Sequence, residues 1–132
     1  MYMLDTNILV SAIRQKDHPV RYRLANCSDG DLCISSITYT ELVYGVYHSA
    51  APERNLAALY ETLSKIEILP FDDQAGEYAG KIMACLATKG LPIGDRDMLI
   101  AGHALSLGLP IVTHNVREFA RIPGLQIEDW LE

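Results

Sequence analysis

Short apolar runs recur along the chain and are separated by longer stretches with helical spacing. Runs of this kind predict β-strands. They cover Tyr2 to Leu4, Leu32 to Ile34, Ile66 to Phe71, Pro110 to Val112 and, more briefly, Leu125 to Ile127. Strands that alternate with helices are typical of βαβ units, which build a parallel sheet covered on both faces. The pattern therefore predicts an α/β fold.

Six helices are expected between these strands. The predicted ranges are Asn7 to Arg14, Pro19 to Asn26, Ile37 to His48, Glu53 to Lys65, Asp73 to Thr88 and Arg96 to Ser106. The fourth follows a proline, which is favoured in a first helical turn, and the fifth runs up to a Lys-Gly pair, where helices commonly stop. The connections are short, so we expect one domain over residues 1–132, large enough to bury a core.

The third predicted helix is unusually rich in large apolar side chains. They are Tyr39, Leu42, Val43, Tyr44, Val46 and Tyr47. A single stripe facing the core would not use all of them. Either the helix is buried between others, or part of it contacts a second copy or a partner protein; the pattern favours such a contact.

The composition is that of an ordinary globular chain, with 49% hydrophobic and 21% charged residues. No apolar run approaches the ~20 residues that cross a bilayer, and the few residues before Asp5 are too short for a signal-peptide core. A cytoplasmic location is therefore expected. The net charge of −6 argues against nucleic-acid binding, since phosphate contacts favour Lys and Arg. This objection weakens if part of the negative charge surrounds a cation.

Acidic side chains lie close to the ends of several predicted strands. Asp5 follows the first strand, Glu41 lies in the helix after the second, and Glu118 comes shortly after the fourth. Asp95 and Asp97 open the helix that precedes the fourth strand. Because ligands of open parallel sheets bind beyond the carboxyl ends of the strands, these groups are expected to converge there.

Each acid also has a purely structural explanation. Asp5 fits a helix N-cap, and Thr38-x-x-Glu41 fits a capping box. Asp95 and Asp97 suit the positive end of a helix dipole. For any one residue taken alone, these explanations are as good as a functional one or better.

The acids taken together favour a metal site. Several carboxylates in one place repel one another unless a cation joins them. Oxygen donors without a Cys/His pattern indicate a hard ion, Mg²⁺ or Mn²⁺, and such an ion suits phosphoryl transfer. The sequence has no P-loop, no G-x-S-x-G elbow and no H-x-x-x-H zinc pattern. Metal-dependent hydrolysis at phosphorus is therefore the favoured chemistry.

Four stretches of the sequence share features with a known family. They are MYMLDTN, ISSITYTELVYG, LPIGDRDMLIAGHALSLGLPIVTHNVREF and GLQIEDW, and they extend from the first residue nearly to the last. In this order and spacing they resemble the PIN-domain ribonucleases, specifically the VapC-type toxins of bacterial toxin–antitoxin pairs. The resemblance implies a three-layer α/β/α sandwich around a parallel sheet of four or five strands. It also implies an Mg²⁺- or Mn²⁺-dependent endoribonuclease that cleaves RNA, often tRNA, with a metal-activated water.

The resemblance assigns roles to individual carboxylates. Asp5, Glu41 and Asp97 match the family's metal-binding and catalytic acids, whereas Asp95 falls on a variable position of the same motif. The choice of Asp97 over its neighbour rests on this match.

A fourth catalytic position is implied in the T-x-N-x-x-E-F stretch. Glu118 or Asn115 would fill it, directly or through water. Thr6, Asn7 and Thr113 would support the carboxylates by hydrogen bonds.

The resemblance also implies partners. These are a VapB-type antitoxin, which itself binds operator DNA, and a second copy of the chain in a homodimer; no membrane contact is expected. Two other functions stay open at this point. One is a metal-dependent phosphatase of small substrates in a similar fold, and the other is a non-catalytic binding domain whose acids serve only as helix caps.

Overall fold

The computed structural model describes residues 1–15 and 17–130. The strands are β1 (Tyr2–Leu4), β2 (Leu32–Ser35), β3 (Glu67–Leu69), β4 (Ile111–Val112) and β5 (Ile127–Glu128). The helices are α1 (Thr6–Arg14), α2 (Val20–Ala25), α3 (Ser36–Tyr47), α4 (Pro52–Thr62), α5 (Asp73–Lys89), α6 (Asp95–Ser106) and α7 (Val116–Phe119). A 3₁₀ turn, Leu63–Lys65, follows α4.

The five strands form one parallel sheet in the order β3-β2-β1-β4-β5. Met3 of the central strand pairs with Cys33 on one side and with Ile111 on the other. The chain builds β2 and β3 on one side of β1 and then crosses to place β4 on the other. The carboxyl ends of β1 and β4 therefore flank a topological switch point, where open parallel sheets bind their ligands.

Helices cover both faces of the sheet, as the strand–helix alternation predicted. Leu4, Ile34 and Val112 face a core formed with α1, α3 and α4. Their neighbours along the strands, Met3, Cys33 and Ile111, face a second core formed with α5, α6 and α7. Because successive side chains of a strand point to opposite faces, these short apolar strands serve both cores at once. The result is the expected three-layer α/β/α sandwich.

Helices α5 and α6 pack closely against each other in the second core. A Cβ atom placed on Gly102 would lie 2.5 Å from both the Cα and the backbone nitrogen of Ala79. Glycine at this position allows the two helix backbones to approach each other. The contact fixes the position of α6, whose first turn carries Asp97.

The predicted elements are found, with different ends. β3 is shorter than the predicted Ile66 to Phe71, and the residues before it form the 3₁₀ turn that ends the predicted fourth helix. The one-turn helix α7 was not predicted. No helix in residues 1–15 and 17–130 combines the length and apolar character that a membrane span requires.

Helix α3 divides its large apolar side chains between two environments. Leu42 and Val46 are buried in the first core, with Tyr39 and Val43 partly buried against it. Tyr44 and Tyr47 are 63% and 65% exposed. Burial against other helices thus accounts for the large apolar side chains on one side of α3. It does not account for Tyr44 and Tyr47, which are exposed.

Candidate active site

Asp5 lies directly after β1, at the switch point, and is buried. Its Oδ1 accepts a hydrogen bond of 2.8 Å from the backbone nitrogen of Thr6, so Asp5 is the N-cap of α1 as one expectation held. Its Oδ2 accepts a 2.9 Å bond from Thr113 Oγ1 at the end of β4. Burial raises the pKa of this carboxyl, the two hydrogen bonds oppose the rise, and the charge of Glu41 adds to it. Capping alone does not explain why a carboxyl group is kept in so unfavourable a place.

Thr6 connects Glu41 to Asp5, because it donates a hydrogen bond to each of the two carboxylates. Glu41 Oε1 accepts a 2.9 Å hydrogen bond from Thr6 Oγ1, which also lies 3.3 Å from the hydroxyl of buried Thr38. The capping-box explanation of Glu41 is wrong, because α3 begins at Ser36 and its N-cap is Ser35, whose Oγ accepts from the Ile37 nitrogen. The side chain of Glu41 turns toward the start of α1 instead.

Asp97 lies in the first turn of α6 and is partly buried. Burial, followed by the charges of Asp5, Glu118 and Glu41, raises its pKa to about 6. These influences place four carboxylates from four segments of the chain within electrostatic range of one another. Within the described residues no hydrogen bond or ion pair engages the Asp97 side chain, and the N-cap of α6 is Gly94, which has no side chain to cap the helix. Asp97 therefore carries a charge that its surroundings leave uncompensated.

The helices that carry Glu41 and Asp97 are also joined by a buried polar contact. His103 Nδ1 of α6 lies 2.8 Å from the Oγ of Ser35, the residue that caps α3. The ring is buried and meets Phe71 edge-on at a centroid distance of 5.5 Å. Burial lowers the pKa of His103, an effect that the charge of Asp72 partly opposes. His103 thus has a structural role, joining α6 to the start of α3.

The donor chemistry of this edge fits a hard divalent ion. All the converging groups offer oxygen, and an ion among them would relieve the repulsion that raises the pKa of Asp97. Among the residues described, no three His, Cys, Asp or Glu side chains already form a metal-holding group. Mg²⁺ does not require one, because it is typically held by one or two carboxylates, with waters and substrate phosphates completing its octahedron.

The expected fourth and supporting residues differ in how closely they meet this edge. Glu118, in α7, is near enough for its charge to raise the pKa of Asp97. Asn115 caps α7 without a side-chain hydrogen bond, and its backbone nitrogen donates to Thr113 Oγ1 over 2.9 Å. Thr113 links that loop to Asp5. Asn7, by contrast, is exposed, and in the described part of the chain its side chain joins no hydrogen bond of this network.

Sequence reasoning did not single out Arg96, and it named Thr38 only as a possible helix cap. The Nη1 of Arg96 lies 3.6 Å from Glu41 Oε2, which brings a cation to the acidic edge. One sequence signal pointed to it: Arg96 stands between Asp95 and Asp97 in a first helical turn, where the dipole disfavours a basic residue. No comparable signal indicated the contact between Thr38 and Thr6, because the two residues lie 32 positions apart along the chain.

A parallel three-layer fold that gathers carboxylates at its switch point is suited to bind a divalent metal ion and to catalyse hydrolysis at phosphorus. The model of the PIN domain family matches residues 2–125 of this chain. The match includes all four acids described above.

Relatives narrow the assignment further. The tRNA(fMet)-specific endonuclease VapC of Salmonella typhimurium is 51% identical over 129 residues, which cover 98% of this chain and 97% of that protein. The crystal structure of DNA-bound VapBC from Salmonella typhimurium contains a chain with a TM-score of 0.92 and 51% identity, covering 98% of this chain and 97% of that one. The crystal structure of VapBC2 from Rickettsia felis, bound to a fragment of its promoter DNA, contains a chain with a TM-score of 0.91 and 40% identity. That match covers 98% of both chains. The chain therefore belongs to the PIN-domain family and, within it, to the VapC group.

Proposed function

We propose that this protein is the toxin of a type II toxin–antitoxin pair and an endoribonuclease that cleaves RNA, with tRNA as its substrate class. The observation that carries the proposal is the convergence of Asp5, Glu41 and Asp97 at the switch point. It occurs in a chain 51% identical to a tRNA(fMet)-specific endonuclease over 98% of its length. The relative's name supports tRNA, which the net charge of −6 alone would not indicate.

The proposed chemistry depends on a divalent metal, and the oxygen donors favour Mg²⁺ or Mn²⁺. Asp5, Asp97 and Glu41 would hold it. When bound, the ion supplies an activated water and offsets the charge of the scissile phosphate. Attack of water on phosphorus with the 3′-oxygen as the leaving group gives 5′-phosphate and 3′-hydroxyl ends and requires no protein nucleophile.

The remaining side chains orient these carboxylates. Thr113 and the Thr6 backbone hold the two oxygens of Asp5, while the Thr6 hydroxyl holds Glu41. Each carboxylate oxygen keeps a lone pair beyond the one used in these bonds. For the fourth position we favour Glu118 over Asn115, because the charge of Glu118 reaches Asp97 whereas Asn115 is seen to act through its backbone.

The proposed partners are a VapB-type antitoxin and a second copy of the chain. The similar VapBC structures, two of them bound to DNA, support the antitoxin and a contact with operator DNA made through it. Tyr44 and Tyr47 of α3 offer an exposed aromatic surface for a homodimer or for the antitoxin. A monomeric mass in solution without antitoxin would contradict the homodimer. A tRNA substrate also implies that the enzyme acts in the cytoplasm.

The test is to incubate the purified protein, free of antitoxin, with total cellular RNA and Mg²⁺ and to map the new ends. We expect cleavage at defined tRNA positions, with 5′-phosphates on the downstream fragments. Asp5→Asn should abolish cleavage while leaving the circular dichroism spectrum unchanged, since Asn still caps a helix. Asp95→Asn is the matched control and should cut as the parent does.

Two results would overturn the proposal in different ways. Intact RNA together with hydrolysis of a generic phosphate ester would indicate a small-molecule phosphatase. Intact RNA, intact ester and no response to Mn²⁺ would indicate a binding domain whose acids are helix caps.

A further inference from the structure

Arg96 places a positive charge at the rim of the acidic site. Its Nη1 lies 3.6 Å from Glu41 Oε2, and its side chain is 67% exposed, whereas that of Glu41 is 22% exposed. In the part of the chain that the structure describes, this is the ion pair that joins a basic side chain to one of the four site acids. The guanidinium thus faces solvent while touching a carboxylate that faces the site.

Stability of the fold does not account for an arginine at this position. Arg96 is the second residue of α6, and the positive end of a helix dipole disfavours a cation in the first turn by roughly 0.3–1 kcal/mol. The arginine side of its pair with Glu41 is open to solvent, and solvent-exposed pairs have a median value of about 0–1 kcal/mol. The two effects are of similar size and opposite sign. An arginine held so weakly can exchange its partner at little cost.

We propose that Arg96 binds a backbone phosphate of the RNA beside the scissile position. The proposal rests on the nuclease function above and adds a substrate-binding residue to it. RNA is a polyanion, and it must approach an edge where Asp5, Glu41, Asp97 and Glu118 gather negative charge. A guanidinium matches two phosphate oxygens with two parallel N–H donors, a geometry that lysine lacks. Because the contact is made to phosphate, it adds affinity without adding preference for a base.

A simpler role for Arg96 would be to hold Glu41 in position. The two roles predict different losses on substitution. A phosphate-binding arginine affects RNA affinity and its salt dependence, and leaves the response to metal intact. An arginine that only orients Glu41 affects the response to metal first.

The binding experiment uses Asp5→Asn as the parent, so that the RNA is not cut. Its affinity for a single-stranded RNA oligonucleotide is measured by fluorescence anisotropy over a series of salt concentrations. We expect Arg96→Gln to weaken binding roughly tenfold, since a hydrogen bond to a charged group is lost. The slope of log K against log salt should fall by about 0.7, the value for one phosphate contact on a single strand. Arg96→Lys should keep that slope but recover only part of the affinity.

Arg54→Gln in the same parent is the matched control. Arg54 is also an exposed arginine in a first helical turn, that of α4. Its helix follows α3 in the chain. The amino end of α3 begins at the site, and its carboxyl end, which precedes Arg54, lies about 18 Å away along the helix. Its substitution should change neither the affinity nor the slope.

The second measurement is the thermal shift that Mn²⁺ produces in Arg96→Gln made alone in the wild-type chain. We expect a shift at least as large as that of the wild type, because a cation beside Glu41 has been removed. Unchanged RNA binding in Arg96→Gln, RNA binding by the parent too weak to detect, or loss of the Mn²⁺ shift would each overturn the proposal. The nuclease function is tested separately, by incubating the wild type with RNA and Mg²⁺. Cleavage there would support that function even if the proposal for Arg96 fails. Intact RNA would contradict the nuclease function itself.

Discussion

The first turn of α6 and its middle turns differ in what surrounds them. The first turn carries Asp95, Arg96 and Asp97, and burial, together with the charges of nearby carboxylates, raises the pKa of Asp97 to about 6. The middle turns, from Ile100 to Ala104, are buried throughout, with Gly102 against the backbone of Ala79. One part of the helix gathers like charges, and the other packs as closely as two backbones allow.

This difference separates the middle of α6, which stabilises the fold, from its first turn, which contributes to the candidate site. Gathering carboxylates costs free energy of folding unless a cation joins them. The packed middle of α6, together with the bond between His103 and Ser35, keeps the first turn in position despite the repulsion between its carboxylates and their neighbours. Substitutions in the two parts should therefore have opposite effects on the stability of the metal-free protein.

The largest effect on stability is expected for Gly102→Ala. The new methyl group would meet backbone atoms of Ala79 at 2.5 Å, and backbone cannot rotate away as a side chain can. Overpacking of this kind costs about 1–3 kcal/mol, which urea denaturation would measure as a lower free energy of unfolding. Gly80→Ala in α5 is the control, because apart from its own helical turn no described atom lies within 4 Å of its Cβ position. That change should raise the free energy of unfolding by roughly 0.5–1 kcal/mol, the helix propensity difference. Equal effects of the two substitutions would contradict the close approach of α5 and α6.

Asp97→Asn should stabilise the metal-free protein at pH 7.5. The raised pKa means that the folded state disfavours the ionised carboxyl. This penalty is absent below pH 3.8, grows as the pH rises, and is complete above about pH 6. Because the group is partly exposed, we expect a gain of only about 1 kcal/mol at pH 7.5. The gain should vanish at pH 3.5, as urea denaturation in EDTA at the two pH values would show. Asp95→Asn, on the exposed side of the same turn, should give no gain, and a loss of stability in Asp97→Asn at pH 7.5 would refute the account of this turn.

The smallest effect concerns His103 and appears only in acid. Burial lowers its pKa below the ordinary value of 6.5, so the unfolded chain binds a proton more readily than the folded one does. Its contribution to stability is therefore complete above pH 6.5 and is lost as the pH falls from 6.5 toward the lowered pKa. His103→Gln should flatten the fall in the unfolding free energy below pH 6.5, whatever its effect at pH 7.5. The exposed His48 serves as the control, and an identical pH profile for His103→Gln and His48→Gln would contradict a neutral, buried His103.

Much of the fold was predictable because its signals are local. Each apolar run found in the sequence overlaps a strand, and five parallel strands agree with the predicted sandwich. The ends were less predictable, since Ser35, Ser36 and Thr38 can all cap a helix and only the structure selects Ser35. Helix α7 is a single turn, too short to show a helical period.

The candidate site was predictable as a set of acids but not as a network. Placement after strands identified Asp5 and Glu41, and family resemblance chose Asp97 over Asp95. The bridge through Thr6 depends on where α1 and α3 meet, which no local pattern encodes. The same is true of the approach of Gly102 to Ala79, because a glycine within a helix pattern has no unique meaning until its neighbour is known.

The central claim is that Asp5, Glu41 and Asp97 are metal ligands and do not serve the fold alone. It is tested most directly by the thermal shift that Mn²⁺ produces at pH 7.5 in the wild type, Asp5→Asn, Asp97→Asn and Asp95→Asn. We expect a rise in Tm that saturates with Mn²⁺ for the wild type and for Asp95→Asn, and little or no rise for the other two. No rise in the wild type, or the same rise in all four proteins, would contradict the claim.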